Sequence, residues 1–163
     1  MEAHEVLEKV SRGEMSVGEA EAFFRREPFE DIGYAKLDNQ RKLRNGAAEV
    51  VFCSGKADDH LVSIFQRLWE QNGEVFGTRA SRAQYELVRQ ELPELTYDAV
   101  SRIMKIEKPG KKKIGKIAVC TGGTADISVA EEAAQTAEFF GNHVDRIYDV
   151  GVSGLHRLLS RLD

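Results

Sequence analysis

The 163-residue sequence carries Lys+Arg 23 against Asp+Glu 27, a formal charge of −4, with 42% hydrophobic and 31% charged residues. That balance excludes a disordered, fibrous or disulfide-stapled chain. It also gives no general electrostatic attraction to nucleic acid or anionic lipid. The acidic, amphipathic start MEAHEVLEKV lacks the basic opening and apolar core of a secretory signal, and no later stretch approaches a membrane span, so the cytoplasm is the expected location. The two cysteines, Cys53 and Cys120, each end an apolar run outside any CxxC pair, which argues against a zinc site or a disulfide framework. Both read as buried, reduced thiols.

Three S-x-x-[EQ] patterns predict helix starts, because a serine oxygen can accept from the third backbone N–H while the Glu or Gln reaches back. They pair Ser16 with Glu19, Ser81 with Gln84, and Ser128 with Glu131. The first opens VGEAEAFFRR, which ends before Pro28 and follows a helix over residues 3–9. From Glu49 the pattern changes: EVVFC predicts a strand, SGKAD a turn, and DHLVSIFQRLWEQNG a helix with Leu61, Ile64, Phe65 and Leu68 at helical spacing. EVFGT predicts a second strand, a helix follows from Ser81 to about Leu92, and a short strand pair lies around residues 97–106. EKPGKKKIGK has proline, glycine and lysine without an apolar period, and reads as an exposed, solvated connector.

The second block repeats the grammar. IAVC predicts a strand, TGGTAD a turn, and SVAEEAAQTAEFFG a helix with Ala130, Ala133, Ala134, Ala137 and Phe140 on one face. VDRIYDV predicts another strand, and GVSG turns into LHRLLSRL, whose Leu155, Leu158, Leu159 and Leu162 make an apolar stripe. VFCSGKAD and AVCTGGTAD resemble each other, a hint of an internal repeat over a stretch short enough for chance. The expected fold is α/β: an N-terminal α/β domain with a helical lead-in over residues 1–107, a linker over 108–116, and the start of a doubly wound parallel-sheet domain over 117–163.

Parallel strands joined by a helical crossover place their strand-to-helix turns on one sheet edge, where ligands of open α/β sheets bind. TGGTAD and GVSGLHR are therefore expected to meet. Gly122 and Gly123 let backbone N–H groups approach an anion, Thr121 and Thr124 can donate hydroxyl hydrogen bonds, and Asp126 can accept from a sugar hydroxyl or an amine. His156 and Arg157 can meet a carboxylate. The same glycines also suit a plain tight turn, Asp126 could cap the following helix, and the loop satisfies neither the GxGxxG nor the GxxxxGK[ST] pattern. His4, His60 and His143 read as surface or packing residues.

IAVCTGGTADISVAEEAA followed by YDVGVSGLHRLL resembles the AIR carboxylase family, whose strands end in G-S-x-S-D and S-A-H-R, with Asp126, His156 and Arg157 on the family's Asp, His and Arg. Within it, the wording is closest to the LarB-like proteins of nickel-pincer-cofactor biosynthesis, and GAAEVVFCSGK and GTRAS resemble their N-terminal domain. The resemblance implies carboxylation of nicotinic acid adenine dinucleotide by CO2 and hydrolysis of its phosphoanhydride. The products would be pyridinium biscarboxylic acid mononucleotide and AMP. It further implies Mg2+, no organic cofactor, and a homo-oligomer; His156 would be catalytic, and Thr121, Gly122, Gly123, Thr124, Asp126 and Arg157 would bind substrate. Gly123 and Ala125 replace the two loop serines of the purine enzymes, which removes their hydroxyl contacts to a ribonucleotide. The family's nucleophilic cysteine and further strands are expected beyond the residue corresponding to Asp163. The alternatives are a purine-biosynthetic carboxylase and a non-catalytic nucleotide-binding module.

Overall fold

A computed structural model describes residues 3–25, 29–38, 40, 41, 44 and 46–161, so Pro28 and Leu162, both named above, lie outside the described residues. The chain is mixed α/β and divides into two compact units, Met1–Glu49 and Val50–Asp163.

In the first unit, helices α1 (Ala3–Ser11) and α2 (Val17–Phe24) bury Val6 and Ala20. Ser16 closes the expected capping box: its hydroxyl accepts from the Glu19 N–H at 3.2 Å, and the Glu19 carboxylate accepts from the Ser16 N–H at 2.8 Å. Strands β1 (Phe29–Asp31) and β2 (Lys36–Asp38) form an antiparallel pair with Leu37 buried.

The second unit opens with β3 (Val50–Phe52), α3 (Asp58–Asn72), β4 (Val75–Thr78), α4 (Arg82–Glu91), β5 (Thr96–Asp98) and β6 (Ile103–Ile106). Their sheet has the order β3-β4-β6-β5, parallel only between β3 and β4. The apolar stripe of α3 is fully used: Leu61, Ile64, Phe65 and Leu68 are all buried. Ser81 caps α4 with Gln84 as its pattern predicts. Gln84 also donates to the Cys53 carbonyl at 3.0 Å, tying the turn after β3 to the helix after β4.

β4 is the central strand, and its two faces pack differently. A Cβ at Gly77 would lie 2.5 Å from Phe65 Cζ and 2.8 Å from Cys53 Sγ, so α3 closes directly onto backbone there. On the other face Phe76 meets Phe139, with ring centroids 4.6 Å apart, in a cluster with Ile103, Val50 and Phe140. Phe139 belongs to α5 (Ile127–Phe139), the crossover between the parallel strands β7 (Gly115–Cys120) and β8 (Asn142–Ile147). A five-residue helix, α6 (Leu155–Leu159), follows.

Several expectations change here for local reasons. The Ser128–Glu131 pattern is no capping box, because the chain already winds through a 3-10 turn at Thr124–Asp126 and Ser128 falls inside α5. Phe139 rather than Phe140 is fully buried, and Ala133 is exposed. Leu155 and Leu159 are exposed rather than forming a packed stripe. The lysine-rich connector is irregular only as far as Ile114, since Gly115 and Lys116 open β7, and Lys111 is partly buried rather than fully solvated. Its Nζ lies 2.8 Å from the buried Glu74 carboxylate, donates to the Phe139 carbonyl at 2.5 Å and sits 3.9 Å from the Phe139 ring centroid. A cation at a helix C-terminus, over an aromatic face and beside a buried carboxylate is favoured on all three counts.

β8 is held to α5 through Arg146, which donates to Glu131 at 2.9 Å and to both Glu138 oxygens at 2.8 and 2.9 Å. Tyr148 donates to Glu131 at 2.8 Å, and burial together with that carboxylate pushes its phenol up to about 12. Hydrogen bonds from Arg146 hold Glu138 below its ordinary value of 4.5. Burial alone would raise Glu131, but Tyr148, Arg146 and Gln135 outweigh it and lower the group.

Two outcomes follow from this packing. Gly77→Ala should destabilise the protein by about 1–3 kcal/mol, read from the midpoint of denaturant unfolding, because Phe65 and Cys53 are both buried and have nowhere to retreat. The second concerns acid. A carboxylate lowered in the folded state adds stability that is fully present above its unfolded value of 4.5 and is lost as pH falls through the folded value. Glu138→Gln should therefore flatten the loss of stability between about pH 5 and pH 3. An unchanged slope would remove the Arg146 cluster from the account.

Candidate functional site

The turns after β7 and β8 lie against each other, as right-handed parallel crossovers require. Thr121, immediately after β7, is buried and knits them: its N–H donates to the Ile147 carbonyl at 3.1 Å, its carbonyl accepts from the Val150 N–H at 2.9 Å, and its hydroxyl accepts from the Asp149 N–H at 3.0 Å. The contact is closest at two glycines. A Cβ at Gly151 would lie 2.5 Å from the Gly122 carbonyl oxygen, so backbone passes backbone and no side chain fits between.

Arg157 braces the second turn from α6. Its guanidinium pairs with Asp149 at 2.9 Å and donates to the Gly151 carbonyl at 3.3 Å. Asp149 has φ 58, in the left-handed region, and the bridge from Arg157 holds it there. Asp149 and Gly151 are therefore structural partners that single-residue reading passes over; the run DVGV contains both, but nothing in it reveals that one meets Arg157 and the other Gly122.

The first turn opens onto a cleft of about 390 Å³ lined by Val119, Cys120, Thr121, Gly122 and Asp126, with Val129, Ala130 and Ala133 of α5. Asp126 is exposed at its lip. It stands at the N-cap of α5, but no side-chain capping bond is made there, so the carboxylate faces outward and the first amides of the helix keep no side-chain acceptor. Gly123, with φ −146 and ψ 172, is extended; Thr124 is exposed. The structure thus brings Thr121, Gly122 and Asp126 together around one cleft and places Arg157, from α6, against the adjoining turn. Gly123, Thr124 and His156 are not among the cleft's lining residues; His156 is exposed on α6, beside Gly154.

The two thiols separate. Cys53 is buried, and burial pushes its thiol up to about 12, as expected of an inert core cysteine. Cys120 departs from its reading as a buried thiol: it is exposed. It is the last residue of β7 and lines the open cleft with Val129, Ala130 and Ala133 of α5, where the end of the strand is not covered. Among the described residues, no group of three or more His, Cys, Asp or Glu side chains is placed to hold a metal ion, and no helix is long and apolar enough to cross a membrane.

Residues 29–108 match the family model of the LarB/PurE-like N-terminal domain. The chain is also 34% identical, over 166 aligned residues, to a protein of Methanocaldococcus jannaschii described as uncharacterized. That alignment takes in 97% of this chain, and so runs through both turns, but the chain spans only 65% of the relative's length. The chain thus carries a LarB/PurE-like N-terminal domain over residues 29–108, which supports its membership of the LarB/AIR carboxylase-like family.

Proposed function

We propose that this chain serves a LarB-type reaction: carboxylation of the pyridinium ring of nicotinic acid adenine dinucleotide by CO2, with hydrolysis of the phosphoanhydride to pyridinium biscarboxylic acid mononucleotide and AMP. The observation that carries the reading is the cleft beside the Gly122–Gly151 contact, with an outward-facing Asp126 and the start of the 3-10 turn that leads into α5 on one side. Backbone amides and a helix start suit a pyrophosphate. Asp126 suits a ribose hydroxyl, and Arg157, already neutralising Asp149, keeps that edge from repelling an anion. His156, one residue before Arg157, is assigned to the carboxylate or CO2 end.

Adding a nucleophile to an electron-poor pyridinium makes the ring enamine-like, and the released electron pair then attacks CO2. Cys53 cannot be that nucleophile, since its buried thiol stays protonated. Burial, which rules out Cys53, does not apply to Cys120, which is exposed and lines the cleft; the proposal gives the two turns binding and placement. Among the described residues no group of three or more His, Cys, Asp or Glu is placed to hold a metal ion, and no step is routed through Mg2+, which commonly binds through one or two carboxylates and the substrate's phosphates. Two free thiols suit a reducing cytoplasmic setting, and exposed Val152, Leu155 and Leu159 suit a self-associating homo-oligomer.

Calorimetric titration of the protein with nicotinic acid adenine dinucleotide tests the reading. Asp126→Ala should weaken binding by about 1–3 kcal/mol, as when a ligand's polar group loses its partner. The melting temperature should not move, because Asp126 is exposed and makes no capping bond. Equal affinity in the variant would remove Asp126 from the site. No binding by the unmodified protein would reject the substrate, and tighter binding of aminoimidazole ribonucleotide would redirect the reading to the purine reaction.

A further inference from the structure

Helix α5 starts at the candidate loop, and one stripe of it is gripped by the four-stranded sheet. Glu132 receives the Arg79 guanidinium at 2.7 Å, Gln135 lies near enough to Asp98 to help lower its carboxyl, and Phe139 packs on Phe76. Positions 132, 135 and 139 fall on one helix face. The adjacent stripe, with Glu131 and Glu138, holds β8 through Arg146.

The grip nearest the loop is the most elaborate. Arg79 follows β4 with φ 56, and Arg102, before β6, has φ 57; both lie in a region that costs a non-glycine residue energy. They lock one another. The Ala80 N–H donates to the Arg102 carbonyl at 2.9 Å, while the Arg102 guanidinium donates back to the Ala80 carbonyl at 3.1 Å and the Arg79 carbonyl at 3.2 Å. Tyr97 adds a third donor, its hydroxyl lying 3.2 Å from the Ala80 carbonyl. This over-determined turn aims Arg79, itself 43% exposed, at Glu132, whose side chain is only 17% exposed, so the pair is screened on one side only.

We infer that Arg79 is a positioning residue: through Glu132 it fixes the N-terminal turns of α5, and with them the 121–126 loop, making the N-terminal sheet a platform that presents the ligand edge. Its consequence for a ligand rests on the proposed function; the positioning itself does not.

The test is a double-mutant cycle, read by amide hydrogen exchange on the whole chain without ligand. Arg79→Gln and Glu132→Gln should each speed exchange over residues 127–133 by about threefold or more, leaving β4 and β6 amides unchanged. The double variant should exchange no faster than either single one, because only one interaction is lost. In a parallel titration, each single variant should bind nicotinic acid adenine dinucleotide more weakly than the unmodified protein. Unchanged exchange at 127–133, acceleration spread evenly over the unit, or additive effects in the double variant would each overturn the inference. Failure of the unmodified protein to bind the dinucleotide would count against the functional reading alone, because the exchange cycle is read without it.

Discussion

The arrangement depends on α5 being held on two faces at once. An amphipathic helix normally buries one stripe and solvates the other. Here Glu132, Gln135 and Phe139 engage the four-stranded sheet, while Glu131 and Glu138 engage β8 through Arg146. Ala130 and Ala134, on a further stripe of the helix, are buried as well. A two-stranded parallel sheet alone would be marginal, since its strands make few bonds and expose both edges. Fastening its crossover helix to a second sheet supplies the missing burial, and the Lys111 anchor on the Phe139 carbonyl closes the far end.

That fastening lies along the helix that starts at the paired turns. The end of α5 near Phe139 is fixed by aromatic packing, and the region near the loop by the Arg79–Glu132 pair. The loop itself is positioned by backbone, through Thr121 and the Gly122–Gly151 contact. Side chains that could meet a ligand, Asp126 and His156, are exposed. Framework and recognition are thus carried by different atoms, which is what allows a site to vary its ligand while keeping its edge.

Much of this was legible in the sequence, and the exceptions share a cause. The capping boxes at Ser16 and Ser81, the α3 stripe and the parallel strand pairs are local or periodic signals, and they stand. Ser128 misleads because the same short motif competes with a 3-10 turn that starts the winding earlier. Cys120 misleads because an apolar run shows that a strand exists, not which of its faces is covered. Lys111 with Glu74, and Arg79 with Glu132, are pairings across 37 and 53 positions, the differences 111 − 74 and 132 − 79, and no periodicity announces them. The family wording of the two turns could be read, but the closeness of Gly151 to Gly122 needed coordinates.

The most direct measurement of the central claim, that the paired turns at the start of α5 form the ligand edge, is a crystal structure of the protein with nicotinic acid adenine dinucleotide. The account predicts phosphate oxygens accepting from backbone amides of the 122–125 segment, with a ribose hydroxyl on Asp126. A dinucleotide seated away from both turns, with the cleft beside Gly122 empty, would contradict it.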